Sequence, residues 1–269
     1  MSLKELSLAG KIAIVTGGGR GYGKAIALAF AESGADVTLA ARTVAEIEQT
    51  AQEVRQLGRK ALAVPTDVTK AEQVQRMVEK TISEFRRIDI LVNNAGRGLG
   101  RSLVPMPDAR VVESIKVDEM HPEEEWQSVM DLNLKSIFLC CRAVGPYMIK
   151  QGGGKVINIT STWAKKPASY TLAYCCSKAA AAMFTQCLAL EWARYNICVN
   201  AIGPGMAKTK LVEDIFGDEA RLQKTLRAIP LRRPAEVREI ALLAVYFASD
   251  ASNYITGQNI YIDGGMVIT

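Results

Sequence analysis

Seven short apolar runs alternate with helix-length patterns from one end of the chain to the other, and that alternation constrains the fold more than any single residue. The runs are IAIVTG at 12–17, VTLAA at 37–41, ALAVP at 61–65, IDILVNN at 88–94, KVINIT at 155–160, ICVNAI at 197–202 and NIYID at 259–263. They lack period-two polarity, so each reads as a strand covered on both faces. Helical patterns follow: AIALAFAESG, residues 44–56, a polar one over 71–85, a stretch of about 25 residues from Glu123 to Ile149, and Thr171 to Arg194. This order predicts an α/β protein with a doubly wound, seven-stranded, mostly parallel sheet and helices on both faces. Its ligand crevice lies past the carboxyl ends of the strands. No linker or internal repeat divides the chain, so residues 1–269 read as one domain.

The first strand runs into Thr16-Gly17-Gly18-Gly19-Arg20-Gly21-Tyr22-Gly23, which opens a helix. Gly17, Gly21 and Gly23 permit a tight turn, close backbone approach to a pyrophosphate and close helix packing. The helix start offers unpaired N–H groups and a positive dipole end to phosphates. A glycine cluster alone is a weak signal. Placed after the first strand and before a helix, it predicts dinucleotide binding, and it lacks the Gly-Lys-Ser/Thr ending of a triphosphate loop. The second strand ends in Leu39-Ala40-Ala41-Arg42-Thr43, with no carboxylate to accept from ribose hydroxyls. Arg42, with Arg20 from the loop, suits a 2′-phosphate instead, so NADP(H) is the expected cofactor. The plainer alternative makes both arginines solvated surface charges. Asp67-Val68 follows the third strand, where a carboxylate can accept from the adenine amino group. Asn93-Asn94-Ala95-Gly96 ends the fourth; Ala95 and Gly96 leave room for the adenosine ribose, and Asn93 can tie strand ends together.

Tyr174 and Lys178 stand four residues apart, and no other tyrosine in the chain has a lysine at that spacing. Four residues is about one helical turn, so both side chains emerge on one helix face. A phenol ordinarily titrates at about pH 10. A nearby ammonium favours the phenolate and brings the group into a useful range. Ser161 ends the fifth strand, thirteen residues before Tyr174. The three side chains can interconvert a ketone and a secondary alcohol: Tyr174 as general acid or base, Ser161 holding the reacting oxygen, Lys178 lowering the phenol and gripping the nicotinamide ribose. The competing reading, a core tyrosine beside a surface lysine, loses ground once the glycine loop is present.

Composition removes other classes. The net charge is +5, but its basic residues are scattered and no nucleic-acid module spacing occurs, so no nucleic-acid partner is expected. No apolar run reaches the roughly 18 residues of a membrane span. The start, MSLKELSLAGK, lacks the apolar core of a secretory signal, and a cytoplasmic protein is expected. The six cysteines include two adjacent pairs and no CxxC, which favours reduced, mostly buried thiols. With a single histidine, no metal site is expected.

On these residues the chain resembles the short-chain dehydrogenases/reductases over nearly its whole length. Thr16 to Gly23 follows the family's TGxxxGxG loop, Asn93 to Gly96 its NNAG, and Ser161, Tyr174 and Lys178 its catalytic set. The resemblance implies a Rossmann fold. It implies a fourth catalytic position at Asn133, in a helix distortion whose backbone carbonyl holds a water bonded to Lys178. It implies that Pro204, Gly205, Ala207 and Thr209 line the nicotinamide and its carboxamide, and that Arg20 and Arg42 mark an NADP-preferring member. Asp263-Gly264-Gly265 matches a common family ending. The resemblance implies a small-molecule carbonyl or alcohol as substrate and pairing of the two long helices across subunits in a homotetramer, with a homodimer as the alternative. A 3-oxoacyl-thioester reductase and a sugar or polyol dehydrogenase are alternatives within the chemistry; a non-catalytic nucleotide-sensing protein is one outside it.

Two regions depart from the pattern. Between Gly96 and Asn133 lie 36 residues, and the segment over about 97–125 reads as an inserted loop over the crevice. It contributes either to substrate shape or to a surface contact, and Arg110 to Val117 within it reads as an extra strand or a short helix. A second segment, about 209–230, reads as an amphipathic lid. Trp163, Met206 and Phe216 suggest a partly apolar pocket, while Arg97, Arg101, Lys165 and Lys166 are candidates to meet an anionic substrate group.

Overall fold

The strands are β1 (Ile12–Thr16), β2 (Asp36–Ala41), β3 (Ala61–Pro65), β4 (Ile90–Asn93), β5 (Gly154–Ile159), β6 (Ile197–Pro204) and β7 (Asn259–Ile262). The helices are α1 (Gly21–Glu32), α2 (Val44–Gln56), α3 (Ala71–Phe85), α4 (Glu123–Met130), α5 (Ser136–Gln151), α6 (Leu172–Trp192), α7 (Glu219–Arg227) and α8 (Val237–Ala248). The structure, a computed structural model, describes residues 3–106, 115, 117–207 and 219–269. The strands form one sheet in the order β3-β2-β1-β4-β5-β6-β7, and every neighbouring pair is parallel. The chain order reverses between β1 and β4, and this switch point is where the crevice opens.

Every residue of β1 is buried, and successive side chains feed opposite cores. Ala13 and Val15 join Ile26 and Phe30 of α1, Ile47 of α2 and Ile240, Ala244 and Phe247 of α8. Ile14 joins Val74 and Met77 of α3, Ile137 and Val144 of α5 and Leu188 of α6. Burying each such large side chain stabilises the fold by roughly 1.5–3 kcal/mol. Phe30, with no exposed surface, is a site where truncation to alanine costs about 3–5 kcal/mol.

One helical expectation changes in form, and one helix is new. The long helix from Glu123 continues to Gln151, but residues Asp131–Lys135 are wound as a π-helical turn between α4 and α5. α8 has no counterpart in the sequence reading; a capping box between Glu236 and Glu239 starts it. The thiols are less buried than expected. Cys140, Cys141 and Cys198 are buried, Cys175 is half-buried, and Cys176 and Cys187 lie exposed on α6. The proposed extra element at Arg110 to Val117 falls largely outside the described residues, as does the first half of the lid; α7 is its described part.

Candidate active site

The floor of the crevice is a hydrogen-bond hub at the end of β1. Buried Thr16 donates from Oγ1 to the Val92 carbonyl at 3.2 Å and accepts from the amides of Asn94 at 3.0 Å and Ala95 at 3.2 Å. The Asn94 side chain returns to the loop, donating to the carbonyls of Thr16 at 2.9 Å and Gly17 at 3.2 Å. Asn94, expected as a cofactor contact, therefore holds the loop that would make those contacts. Gly17 and Gly21 take the left-handed region with φ of 65° and 53°. A Cβ at Gly23 would sit 2.2 Å from the Gly17 carbonyl oxygen, so only glycine lets the turn close. No side chain caps the start of α1, and its first turn carries no acidic residue. An uncapped, unopposed helix start within a loop of five glycines fits a pyrophosphate. Gly19 and Arg20 complete the loop; Arg20 is exposed and lies 3.7 Å from Glu46.

Arg42 and Thr43 are exposed at the carboxyl end of β2. Arg42 also acts on Asp67 just past β3. Burial works against ionising that carboxyl, but hydrogen bonds from Thr69 and the charges of Arg42 and Lys70 hold it below its ordinary value. Asp67 Oδ1 accepts from Thr69 N at 3.0 Å and Oγ1 at 2.7 Å, and Val68 is buried.

Across the switch point, Asn93 donates to Asn158 Oδ1 at 2.8 Å, and Asn158 donates to Thr185 Oγ1 of α6 at 2.9 Å. Asn93 thus ties β4 to β5 and onward to the helix carrying Tyr174. Ala95 and Gly96 follow it, and a Cβ at Gly96 would come within 3.3 Å of Lys178 Nζ and 3.0 Å of Asn133 Oδ1. Asn133 has no exposed surface and sits inside the π-helical turn. Its side chain accepts from Arg97 N at 2.9 Å and donates to Arg97 O and Ser177 Oγ, each at 3.0 Å.

Tyr174, Ser161 and Lys178 converge as expected. Tyr174 lies in the first turn of α6 and is hydrogen-bonded to Ser161, which also accepts from Trp163 N at 3.2 Å. Trp163 meets the Tyr174 ring edge-to-face at 5.7 Å. Lys178 is buried, and its Nζ donates to the Ile159 carbonyl at 2.7 Å. Burial lowers its pKa from the ordinary 10.5 to about 8, so it remains an ammonium at neutrality.

The electrostatics differ from the sequence expectation. Tyr174 is raised above a free phenol, because burial outweighs the Ser161 hydrogen bond that lowers it, and Cys175 adds to the rise. Lys178 Nζ stands 5.8 Å from the centre of the Tyr174 ring and spends its short contact on the Ile159 carbonyl. The cation and the phenol are neighbours, but proximity alone does not depress the phenol. Tyr22 is raised as well, by burial first and by Tyr174 second, and its Oη donates to the Gly205 carbonyl at 3.3 Å.

Pro204 ends β6, and Gly205 packs so closely that a Cβ would lie 2.8 Å from Asp263 Cα. Ala207 is buried and forms an isolated parallel bridge with Ala235. Thr209 and Phe216 lie outside the described residues.

The four cations considered for an anionic substrate all have partners within the chain. Arg97 donates to Ser128 Oγ. Lys165 lies over the Tyr261 ring at 5.7 Å, and Lys166 donates to the carbonyls of Met266 at 3.2 Å and Thr269 at 2.5 Å. Arg101 is buried and paired with Glu119 at 2.9 Å and Glu125 at 2.7 Å. His121 packs edge-on against Trp126 at 6.4 Å, inside the inserted segment. Ser177 was missed in the sequence. It accepts from Asn133 and donates to the Tyr174 carbonyl at 2.8 Å, joining the π-helical turn to α6. Its place directly before Lys178 is the one signal the sequence offered.

Comparison with known proteins agrees with this geometry. A family model described as short chain dehydrogenase matches residues 11–220. The chain is similar to an NAD-dependent glycerol dehydrogenase of Listeria innocua, 36% identical over 98% of this chain and 97% of the relative. It is equally similar to a 3-oxoacyl-acyl-carrier-protein reductase of Thermotoga maritima, 36% identical over 98% of this chain and 100% of the relative. Among solved structures, a gluconate 5-dehydrogenase of Burkholderia cenocepacia in complex with NADP and tartrate has a TM-score of 0.88 at 30% identity. That match covers 99% of this chain and 98% of the other.

Proposed function

The chain belongs to the short-chain dehydrogenase family of oxidoreductases, and from that premise we propose that it interconverts a ketone and a secondary alcohol with NADP(H). The observation that carries this reading is the meeting of Ser161, Tyr174 and Lys178 beside a glycine loop with an uncapped helix start. A bound nicotinamide supplies the hydride in reduction and accepts it in oxidation. Tyr174 gives its proton to the substrate oxygen as negative charge develops there, and a phenol held above its ordinary pKa is well stocked with that proton at pH 7. Ser161, already bonded to Tyr174, holds the same oxygen. Lys178 supplies a fixed positive charge beneath the ring and holds the nicotinamide ribose. Asn133 and Ser177 fix the helices on which Lys178 and Tyr174 ride.

We assign cofactor contacts to Thr16, Gly17, Gly19, Arg20, Gly21, Tyr22 and Gly23 in the loop; to Arg42, Thr43, Asp67 and Val68 at the adenosine end; to Ala95 and Gly96 at the switch point, where Asn94 holds the loop; and to Pro204, Gly205 and Ala207 at and beyond the end of β6, with Tyr174 and Lys178; Thr209 is assigned there from the family resemblance alone. NADP(H) is favoured over NAD(H) because exposed Arg42 ends β2 where no carboxylate opposes a 2′-phosphate. A relative named as NAD-dependent makes this the part most open to test. Polyols and sugar acids are the first substrates to try, given the names of the glycerol and gluconate dehydrogenases, and 3-oxoacyl thioesters are the second reading, given the acyl-carrier-protein reductase. The exposed apolar residues Phe138 on α5 and Met183 and Leu190 on α6 favour self-association, for which a homotetramer is the proposed state. The functional test is kcat/KM with NADPH and with NADH on 5-ketogluconate, dihydroxyacetone, acetoacetyl thioester and a cyclic diketone. Reduction of at least one ketone, with NADPH preferred, is expected; cofactor binding with no turnover on any of them would favour a nucleotide-sensing role.

A further inference from the structure

Near its start, the inserted segment holds a charged residue that the chain buries. Arg101 is 3% exposed. Its Nε and Nη2 reach the Glu125 carboxylate at 2.7 and 3.3 Å, and its Nη1 reaches Glu119 Oε2 at 2.9 Å and the Met120 carbonyl at 3.4 Å. Glu125 stands in the first turn of α4 and Glu119 at the far end of the insertion, so one guanidinium gathers the start of the insertion, its end and the next helix. Burying a charge is costly unless it is paired and hydrogen-bonded on several sides, and here it is.

The backbone of the same residue acts elsewhere. Arg101 N donates to the Tyr170 carbonyl at 2.6 Å, and Arg101 forms an isolated parallel bridge with Thr171. Tyr170 holds a left-handed φ of 62°, a conformation a bulky residue adopts only when its surroundings impose it. Thr171 stands at the N-cap position of α6 without a side-chain capping bond, and Tyr174 follows three residues later. Thr171 Oγ1 also donates to the Ala168 carbonyl at 2.8 Å. The bend that launches the helix is therefore tied to the insertion through Arg101.

We propose that Arg101 is a positioning residue for Tyr174: its side chain closes the insertion on itself, and its amide pins the bend from which α6 starts. Arg101 thereby acts as a clasp between the described ends of the insertion and the catalytic helix. This rests on reading Tyr174 as the proton donor. Arg101 touches no reacting atom; it acts through Tyr170 and Thr171.

The test uses the full chain with Arg101→Met. Deuterium exchange over residues 166–178 is expected to quicken about tenfold while the amides of β1 and β2 keep their protection. With the ketone of the panel that wild type reduces fastest, kcat is expected to fall about tenfold or more, because sub-ångström misplacement of a catalytic group is felt in the rate. KM and NADPH affinity should stay within about twofold, and Arg101→Lys, which restores the charge but not the fork to two carboxylates, should recover only part of the loss. Unchanged exchange over 166–178, or kcat within about twofold of wild type, overturns the clasp, as does an equal loss of NADPH affinity. Should Arg101→Met fail to fold, Glu125→Gln keeps the shape and removes the partner charge. It is expected to give the same pattern more weakly, and normal kcat with normal exchange in that variant overturns the proposal. A wild type inactive on every ketone would sink the functional reading, and the exchange data would still decide the clasp. Loss of turnover in Tyr174→Phe with full turnover in Arg101→Met would sink the clasp alone.

Discussion

At the floor of the crevice, Thr16, Asn94 and Gly17 hold one another through short hydrogen bonds to backbone atoms, whereas at its rim Arg101 gathers Glu119 and Glu125 through a buried charge and Tyr170 through its backbone amide. The floor rests on strand ends whose register is set by a fully parallel sheet, so its polar groups meet because the strands are neighbours. The rim has no such frame. Its order comes from one guanidinium that meets carboxylates 18 and 24 residues away in sequence. The floor's shape is built from backbone and glycine, which suits a ligand shared by many enzymes. The rim's shape is built from side chains on an irregular segment, the kind of element that commonly varies between related enzymes.

The largest expected effect on this comparison comes from the floor's buried cation. Lys178→Met should lower kcat by about a thousandfold, since it removes the charge beneath Tyr174. It should also change how stability depends on pH. The folded pKa of about 8 lies below the ordinary 10.5, so between those values the folded chain binds fewer protons than the unfolded chain. Stability from this group therefore rises with pH across that window, and the cost of holding the ammonium, on the order of 3 kcal/mol, is fully present below it. Urea unfolding should show the stability of wild type relative to Lys178→Met rising from the lower end of the window to the upper, a difference that isolates Lys178 from the raised tyrosines.

Arg42→Asp probes the outer edge of the floor. Losing a charge-assisted bond and adding repulsion should move the NADPH-to-NADH preference by about a hundredfold toward NADH, read from kcat/KM with each cofactor. Unchanged preference would return Arg42 to the role of a solvated surface charge.

The smallest effect is expected where floor and β6 are joined by a single long bond. Tyr22→Phe removes the 3.3 Å contact with the Gly205 carbonyl and keeps the ring. NADPH affinity should weaken by about threefold, with kcat nearly unchanged. A large fall in kcat would mean that the second phenol takes part in the proton step.

The floor was legible in the sequence for the same reason that it is rigid. Apolar runs without alternation mark buried parallel strands, glycines mark a turn that only glycine can close, and a tyrosine and lysine one turn apart share a helix face. The π-helical turn at Asp131–Lys135 matches the helix distortion that the family resemblance implied around Asn133. Other features depend on contacts between distant segments. α8 carries no chemistry-bearing motif to draw attention to it, although Glu236 and Glu239 carried a start signal. The raised pKa of Tyr174 depends on what covers it, which spacing alone does not tell. Arg101 reads as a free cation until Glu119 and Glu125 are placed around it.

The central claim is that Tyr174 moves the proton while other residues hold the cofactor. Tyr174→Phe should bind NADPH within about threefold of wild type by fluorescence titration and should lose turnover by at least about a thousandfold across all pH values. Retained turnover with the same pH profile as wild type would contradict the account.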